Sequence, residues 1–186
     1  MQDNPNHVHP MADASLDDAT LEFAHQVFDL ARSGESGELA RLLGQGLPPN
    51  LRNNKGDSLL MLASYHGHLD AVKVLLDHNA DPDLRNLNGQ TPIAGAAFKG
   101  NLPMIELLLE HGADVEGSSP DGRTALMIAA MFNRTAIVDC LVARGANVGA
   151  KDANGVDAVQ AAKLMGAQNT SARLEELQRG NRPVAG

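Results

Sequence analysis

Two His-X-His pairs, one cysteine and many glycines are the parts of this 186-residue sequence from which chemistry could be built. His7 and His9, and likewise His66 and His68, could each bring two imidazoles to one metal ion. A zinc site needs three or four ligands, and neither pair has a cysteine or carboxylate at a known ligand spacing, so no specific metal site is expected. Cys140 follows Ile137 by three residues and precedes Leu141 on an apolar helical stretch. That setting suits a buried structural thiol better than a nucleophile, which needs an electropositive, accessible environment. No glycine cluster opens a helix beside a lysine as a phosphate-binding loop does. No Ser, His and Asp set retains a role once turns and helix caps are assigned. The sequence therefore offers no catalytic residue and implies no cofactor.

Composition narrows the partners. The formal charge of −8 and a pI near 5.2, with no basic run, argue against a sequence-independent grip on nucleic acid. The start Met1-Gln2-Asp3-Asn4-Pro5-Asn6-His7 has neither the basic nor the apolar part of a secretory signal, and no stretch approaches the roughly 20 apolar residues of a membrane span. With a single cysteine, this points to a soluble protein of a reducing cytosol with no membrane partner. A chain of this length suits one folded unit. Apolar residues make up 43% and aromatics only 3%, so the core has to be built from Ala, Leu, Val, Ile and Met, which suits helix packed on helix.

The glycines supply the architecture. Gly56, Gly89, Gly122 and Gly155 recur every 33 residues. So do Gly34, Gly67, Gly100, Asn133 and Gly166, and so do Gly46, Asn79, Gly112 and Gly145. Both exceptions are Asn, the residue that best tolerates a left-handed backbone after glycine, so conformation is what repeats. Such a residue commonly stops a helix, and the second and third series mark two helix ends per unit. His78, His111 and Arg144, just before the third series, suit the negative end of a helix dipole. The first series lies in turn dipeptides such as Asn88-Gly89 and Asn154-Gly155. Two residues later come Ser58, Thr91, Thr124 and Asp157, all able to cap a helix, and Pro92 suits the first helical turn of its unit.

Apolar residues keep the same register. Val27, Leu60, Ile93, Leu126 and Val159 recur on the first helix, with Leu42-Leu43, Leu75-Leu76, Leu108-Leu109 and Leu141-Val142 on the second. Ala63, Ala96, Ala129 and Ala162 mark close approach of helices. No unit buries these faces alone, so stability has to come from stacking.

A 33-residue unit of turn and two helices resembles the ankyrin repeat. The stretches from Gly67 to Leu76 and from His111 to Val115 are similar to its second helix and exit, and Thr91-Pro92-Ile93-Ala94 to the start of its first helix. The likeness covers roughly residues 20–177. It implies an all-α repeat fold, an ankyrin solenoid of helix-turn-helix units joined by β-hairpin turns. The histidine that the family carries in the tetrad is replaced by Met61, Ala94, Met127 and Gln160, so its hydrogen bonding between neighbouring turns is not expected. Phe23 stands where the first unit should have its turn glycine, and the chain from Ser15 reads as a helical lead-in. In the last unit Leu174 keeps the inner position while Glu175 is polar. The expected domain is 15–179, with five repeats of which the first and last act as caps, between mobile tails at 1–14 and 180–186.

The resemblance also implies where a partner sits: on the hairpin tips and on two variable positions before the end of each first helix. In this chain those pairs are Arg32-Ser33, Tyr65-His66, Phe98-Lys99, Met131-Phe132 and Leu164-Met165. The chain has one tyrosine and four phenylalanines, and three of those five aromatics fall on these pairs. A row of aromatics and methionines along a groove suits a protein-binding hot region. Alternatively the same side chains lie across the next repeat and complete the core. At the tips, Lys55, Asp57, Asn88, Gln90, Asp121 and Arg123 would add polar selectivity. The expected function is a non-catalytic adaptor or inhibitor, monomeric, holding a protein partner in the groove. The alternative is a small-molecule or metal-binding enzyme on the same scaffold, and a purely structural spacer fits the apolar pairs poorly.

Overall fold

Every backbone position assigned to a left-handed stop has a positive φ, including both asparagines, Asn79 at 64° and Asn133 at 57°. A computed structural model describes residues 13–180 of the protein; of the expected tails at 1–14 and 180–186, residues 1–12 and 181–186 lie outside the described residues, while 13, 14 and 180 stand in helices. The period resolves into ten helices in five pairs. The first members are α1 (Asp13–Ser33), α3 (Leu59–His66), α5 (Pro92–Lys99), α7 (Ala125–Met131) and α9 (Ala158–Leu164). Their partners are α2 (Ser36–Gly44), α4 (Leu69–Asp77), α6 (Leu102–Glu110), α8 (Thr135–Ala143) and α10 (Gln168–Gly180). α1 runs unbroken through Phe23, so the first pair has no turn there.

The caps act as the residue types require. The Ser58 hydroxyl accepts from Met61 N–H at 3.0 Å, Thr91 from Ala94 at 3.4 Å, Thr124 from Met127 at 3.3 Å and the Asp157 carboxylate from Gln160 at 2.8 Å. At the other helix ends, His78 Nδ1 donates to the Val74 carbonyl at 2.8 Å and His111 Nδ1 to that of Leu107 at 2.9 Å. Both imidazoles finish helices, and His111 also places its Nε2 3.7 Å from the Asp77 carboxylate of the preceding repeat.

First helices stack on first helices and second on second, with one continuous core between the two layers. Val27, Leu60, Ile93, Leu126 and Val159 are buried, as are the four register alanines and Leu174. Met61, Ala94 and Met127 are buried where the family's histidine would stand, whereas Gln160 is exposed and completes a capping box with Asp157.

Neighbouring repeats are tied by hydrogen bonds that do not need that histidine. Leu87 N–H donates to the Lys55 carbonyl at 3.0 Å and Ala153 N–H to that of Asp121 at 2.8 Å. Side chains link the exits of successive pairs: Asn50 accepts from Asp81 N–H at 2.8 Å, Asp83 from Asp114 at 3.0 Å and Glu116 from Asn147 at 2.7 Å. The hairpins are turns with little sheet in them. Two isolated bridges, Arg52 to Ser58 and Ser118 to Thr124, are all the β pairing among the described residues.

His68 is a further clasp. Its Nε2–H donates to the Arg32 carbonyl at 2.8 Å, and its ring lies so close over Gly34 that a Cβ there would come within 2.5 Å of it. Arg134 covers Gly100 in the same way, with the guanidinium carbon 2.8 Å from where a Cβ would stand. Glycine at these stops therefore serves both the left-handed turn and the next repeat. Among the described residues no helix is long and apolar enough to cross a membrane.

Candidate interaction groove

Short first helices end on their stop residues with their last turn turned away from the core, and the hairpins rise beside them. Between the two lies a groove of about 730 Å³ that spans the second, third and fourth repeats. Tyr65, Phe98, Met131 and Phe132 line it from the helices, and Asn88, Gln90, Asp121 and Arg123 from the hairpins. Its floor is Met61, Ala94, Gly95 and Ile128.

The aromatic walls are half in solvent, with Tyr65 43% exposed, Phe98 46% and Phe132 38%. Phe98 and Phe132 meet edge to face with ring centroids 4.9 Å apart, so part of their surface is covered by each other. Such a pair is worth about 0.5–1.5 kcal/mol beyond area burial, which fixes the rings without hiding them. Lys99 stands outside the cavity lining but places its ammonium 4.2 Å from the centre of the Tyr65 ring, a cation–π contact made from the next repeat. His66 packs its ring against the edge of Tyr65 at 5.7 Å and stacks on His68 at 6.3 Å.

Not all the expected residues gather here. Leu164 and Met165, 76% and 55% exposed, belong to the fifth pair and do not line this cavity, whose lining ends at Phe132 of the fourth repeat. Lys55 and Asp57 lie on the second hairpin beyond the lining. Asp57 is held internally, accepting from Asn86 Nδ2 at 2.9 Å. Asp121 accepts from the Ser119 hydroxyl and pairs with Arg123 at 3.3 Å, and the Ser119 bond holds its carboxyl below the usual range.

Gly95 is the groove residue that sequence reasoning missed. It interrupts α5 in ordinary helical geometry, it is no turn, and a Cβ added to it would meet only Tyr65 Cδ2, at 3.7 Å. The signal was available: Leu62, Gly95, Ile128 and Ala161 occupy one register position, and only the third repeat has glycine there. A mid-helix glycine costs about 0.5–1 kcal/mol relative to alanine, and nothing in the packing demands it.

The chemically reactive candidates lie elsewhere. Cys140 is only partly buried on α8, where a fully buried thiol was expected, because Val74 and Leu107, its register equivalents, also sit on the outer edge of the second-helix layer. Desolvation there pushes its thiol upward, away from thiolate character. Among the described residues no three His, Cys, Asp or Glu side chains gather as a metal site would require.

Comparison with known proteins gives one consistent answer. A family model described as ankyrin repeats matches residues 28–118 and 78–152, in overlapping segments. A curated ankyrin repeat protein of Pseudomonas aeruginosa is 71% identical over 59 residues, a stretch that makes up 32% of this chain and 34% of that relative. The match thus spans about a third of the relative's length.

Proposed function

This chain belongs to the ankyrin-repeat family, whose repeats generally serve as protein–protein interaction modules, and on that premise we propose that it is a non-catalytic adaptor or inhibitor that holds a protein partner in the aromatic groove. The observation that carries the proposal is the trio Tyr65, Phe98 and Phe132, large side chains left about half exposed along one cavity in a chain poor in aromatics. Partly exposed aromatics fixed by edge contacts are what a binding hot region needs, since little side-chain entropy remains to be lost on association. The hairpin residues Asn88, Gln90, Asp121 and Arg123 give the rim hydrogen-bonding capacity around that apolar centre. The working unit is a monomer acting in the cytoplasm, with residues 15–179 as the interaction domain.

The test is to change Phe98 and Phe132 to alanine together and follow both partner capture from the native host and thermal melting. Capture lost with melting nearly unchanged supports the groove. Capture intact with melting lowered by several degrees assigns the two rings to the core and ends the proposal.

A further inference from the structure

The proposed groove lies on a face whose charge opposes that of the molecule. The hairpin and first-helix segments 51–66, 85–99, 118–132 and 151–165 carry seven basic residues and four acidic ones, in a chain of net charge −8. All four carboxylates are already satisfied. Asp57 accepts from Asn86, Asp121 from Ser119 and Arg123, Asp152 from the backbone of Asn154 and Val156, and Asp157 caps α9. On the cationic side, Lys55, Arg85, Lys99 and Lys151 make no ion pair among the described residues. The formal charge of these segments is therefore positive, although the whole protein is acidic.

One of these cations has a defined position. Lys99, outside the cavity lining, is held over the ring of Tyr65, which lines it. The Arg52 guanidinium is held on the hairpins, donating to the Arg85 carbonyl and, at 3.0 Å, to that of Gly56. The groove lining includes Gly95, where the absent side chain leaves space beside Tyr65.

We infer that the groove takes an acidic peptide segment of its protein partner, one bulky apolar side chain of which seats over Gly95 between Tyr65 and Phe98 while a neighbouring carboxylate meets Lys99. This rests on the groove being the binding site and adds the chemistry of what binds. A peptide explains both halves of the surface, the apolar notch and the flanking cations. A nucleic acid would use the cations alone, and its many phosphates would be repelled by the surrounding acidic molecule.

The experiment selects a displayed library of random peptides on the full chain and measures the enriched peptides by fluorescence anisotropy, with oligothymidine as a second probe. Enriched sequences should combine Asp or Glu with a large apolar residue, and their affinity should fall with added salt. Lys99→Glu should weaken them roughly tenfold or more, as expected for reversing a charge that meets a carboxylate. Gly95→Leu should weaken them comparably without lowering the melting temperature, whereas Lys73→Gln, on the far helix layer, should leave binding unchanged. Peptides that depend on Phe98 and Phe132 but are neutral or basic overturn the acidic assignment and leave the groove standing. Peptides indifferent to Phe98→Ala and Phe132→Ala, together with unaltered partner capture by that double variant, overturn the groove itself. Failure to enrich any peptide, or oligothymidine displacing the selected peptides, also overturns the inference.

Discussion

Replacing Gly95 by alanine should make this protein more stable and a poorer binder. The residue lies in the middle of α5, its N–H donates to the Thr91 carbonyl at 3.1 Å as in any helical turn, and its backbone is not in the left-handed region. Alanine therefore enters without strain and removes the excess freedom of glycine in the unfolded chain, a gain of about 0.5–1 kcal/mol. The new methyl would meet only Tyr65 Cδ2, at 3.7 Å, which is ordinary van der Waals contact. That contact adds about 0.1–0.2 kcal/mol per atom pair and does not decide the sign. For a domain of this size the gain corresponds to roughly 1–4 °C in Tm. Urea denaturation of the full chain, read by circular dichroism with wild type alongside, measures it directly. The groove ligand should at the same time bind more weakly, since the methyl shallows the notch. A Gly95→Ala variant that melts earlier than wild type refutes the reasoning, because it would mean that Tyr65 and α5 are packed too tightly at this point for the notch to exist.

The two asparagines at helix stops should respond differently to glycine. Asn79 makes no side-chain hydrogen bond among the described residues, so Asn79→Gly should change stability by no more than about 0.5 kcal/mol, relief at the backbone offsetting the added freedom of the unfolded chain. Asn133→Gly should cost about 1–3 kcal/mol, because the Asn133 Oδ1 accepts the N–H of buried Thr170 at 3.1 Å and glycine leaves that donor unpaired; the same denaturation assay reads both. Ser119→Ala should raise the pKa of the Asp121 carboxyl toward its ordinary value, observable by NMR titration. Asp121 titrates below its unfolded value in the folded protein, so the stability it contributes is present above the unfolded pKa and is lost as pH falls through the folded one. The Ser119 variant should lose part of that acid dependence, the contribution of Arg123 remaining.

The repeat was legible in the sequence because it is written in local backbone demands. A left-handed residue has to be glycine or asparagine, and a helix start calls for an oxygen-bearing cap. At Asn133, Thr124 and Pro92 those requirements are met by the residue type itself, whatever surrounds it. The variable pairs, and with them Tyr65, Phe98 and Phe132, followed instead from the resemblance to the family. It could not show that Phe98 meets Phe132, a residue 34 positions on, or that Lys99 reaches back over Tyr65. Those contacts run between repeats, and they depend on the offset of one helix against the next and on which way each side chain leaves it. Nor could spacing separate Leu164 and Met165 from the groove, since they hold the same register as the residues that line it. The histidine clasp of His68 on Arg32 and the engagement of Asp57, Asp121, Asp152 and Asp157 are likewise decided by neighbours distant in sequence. Residue type fixed where the chain turns, and tertiary packing decided which side chains were left free to meet a partner.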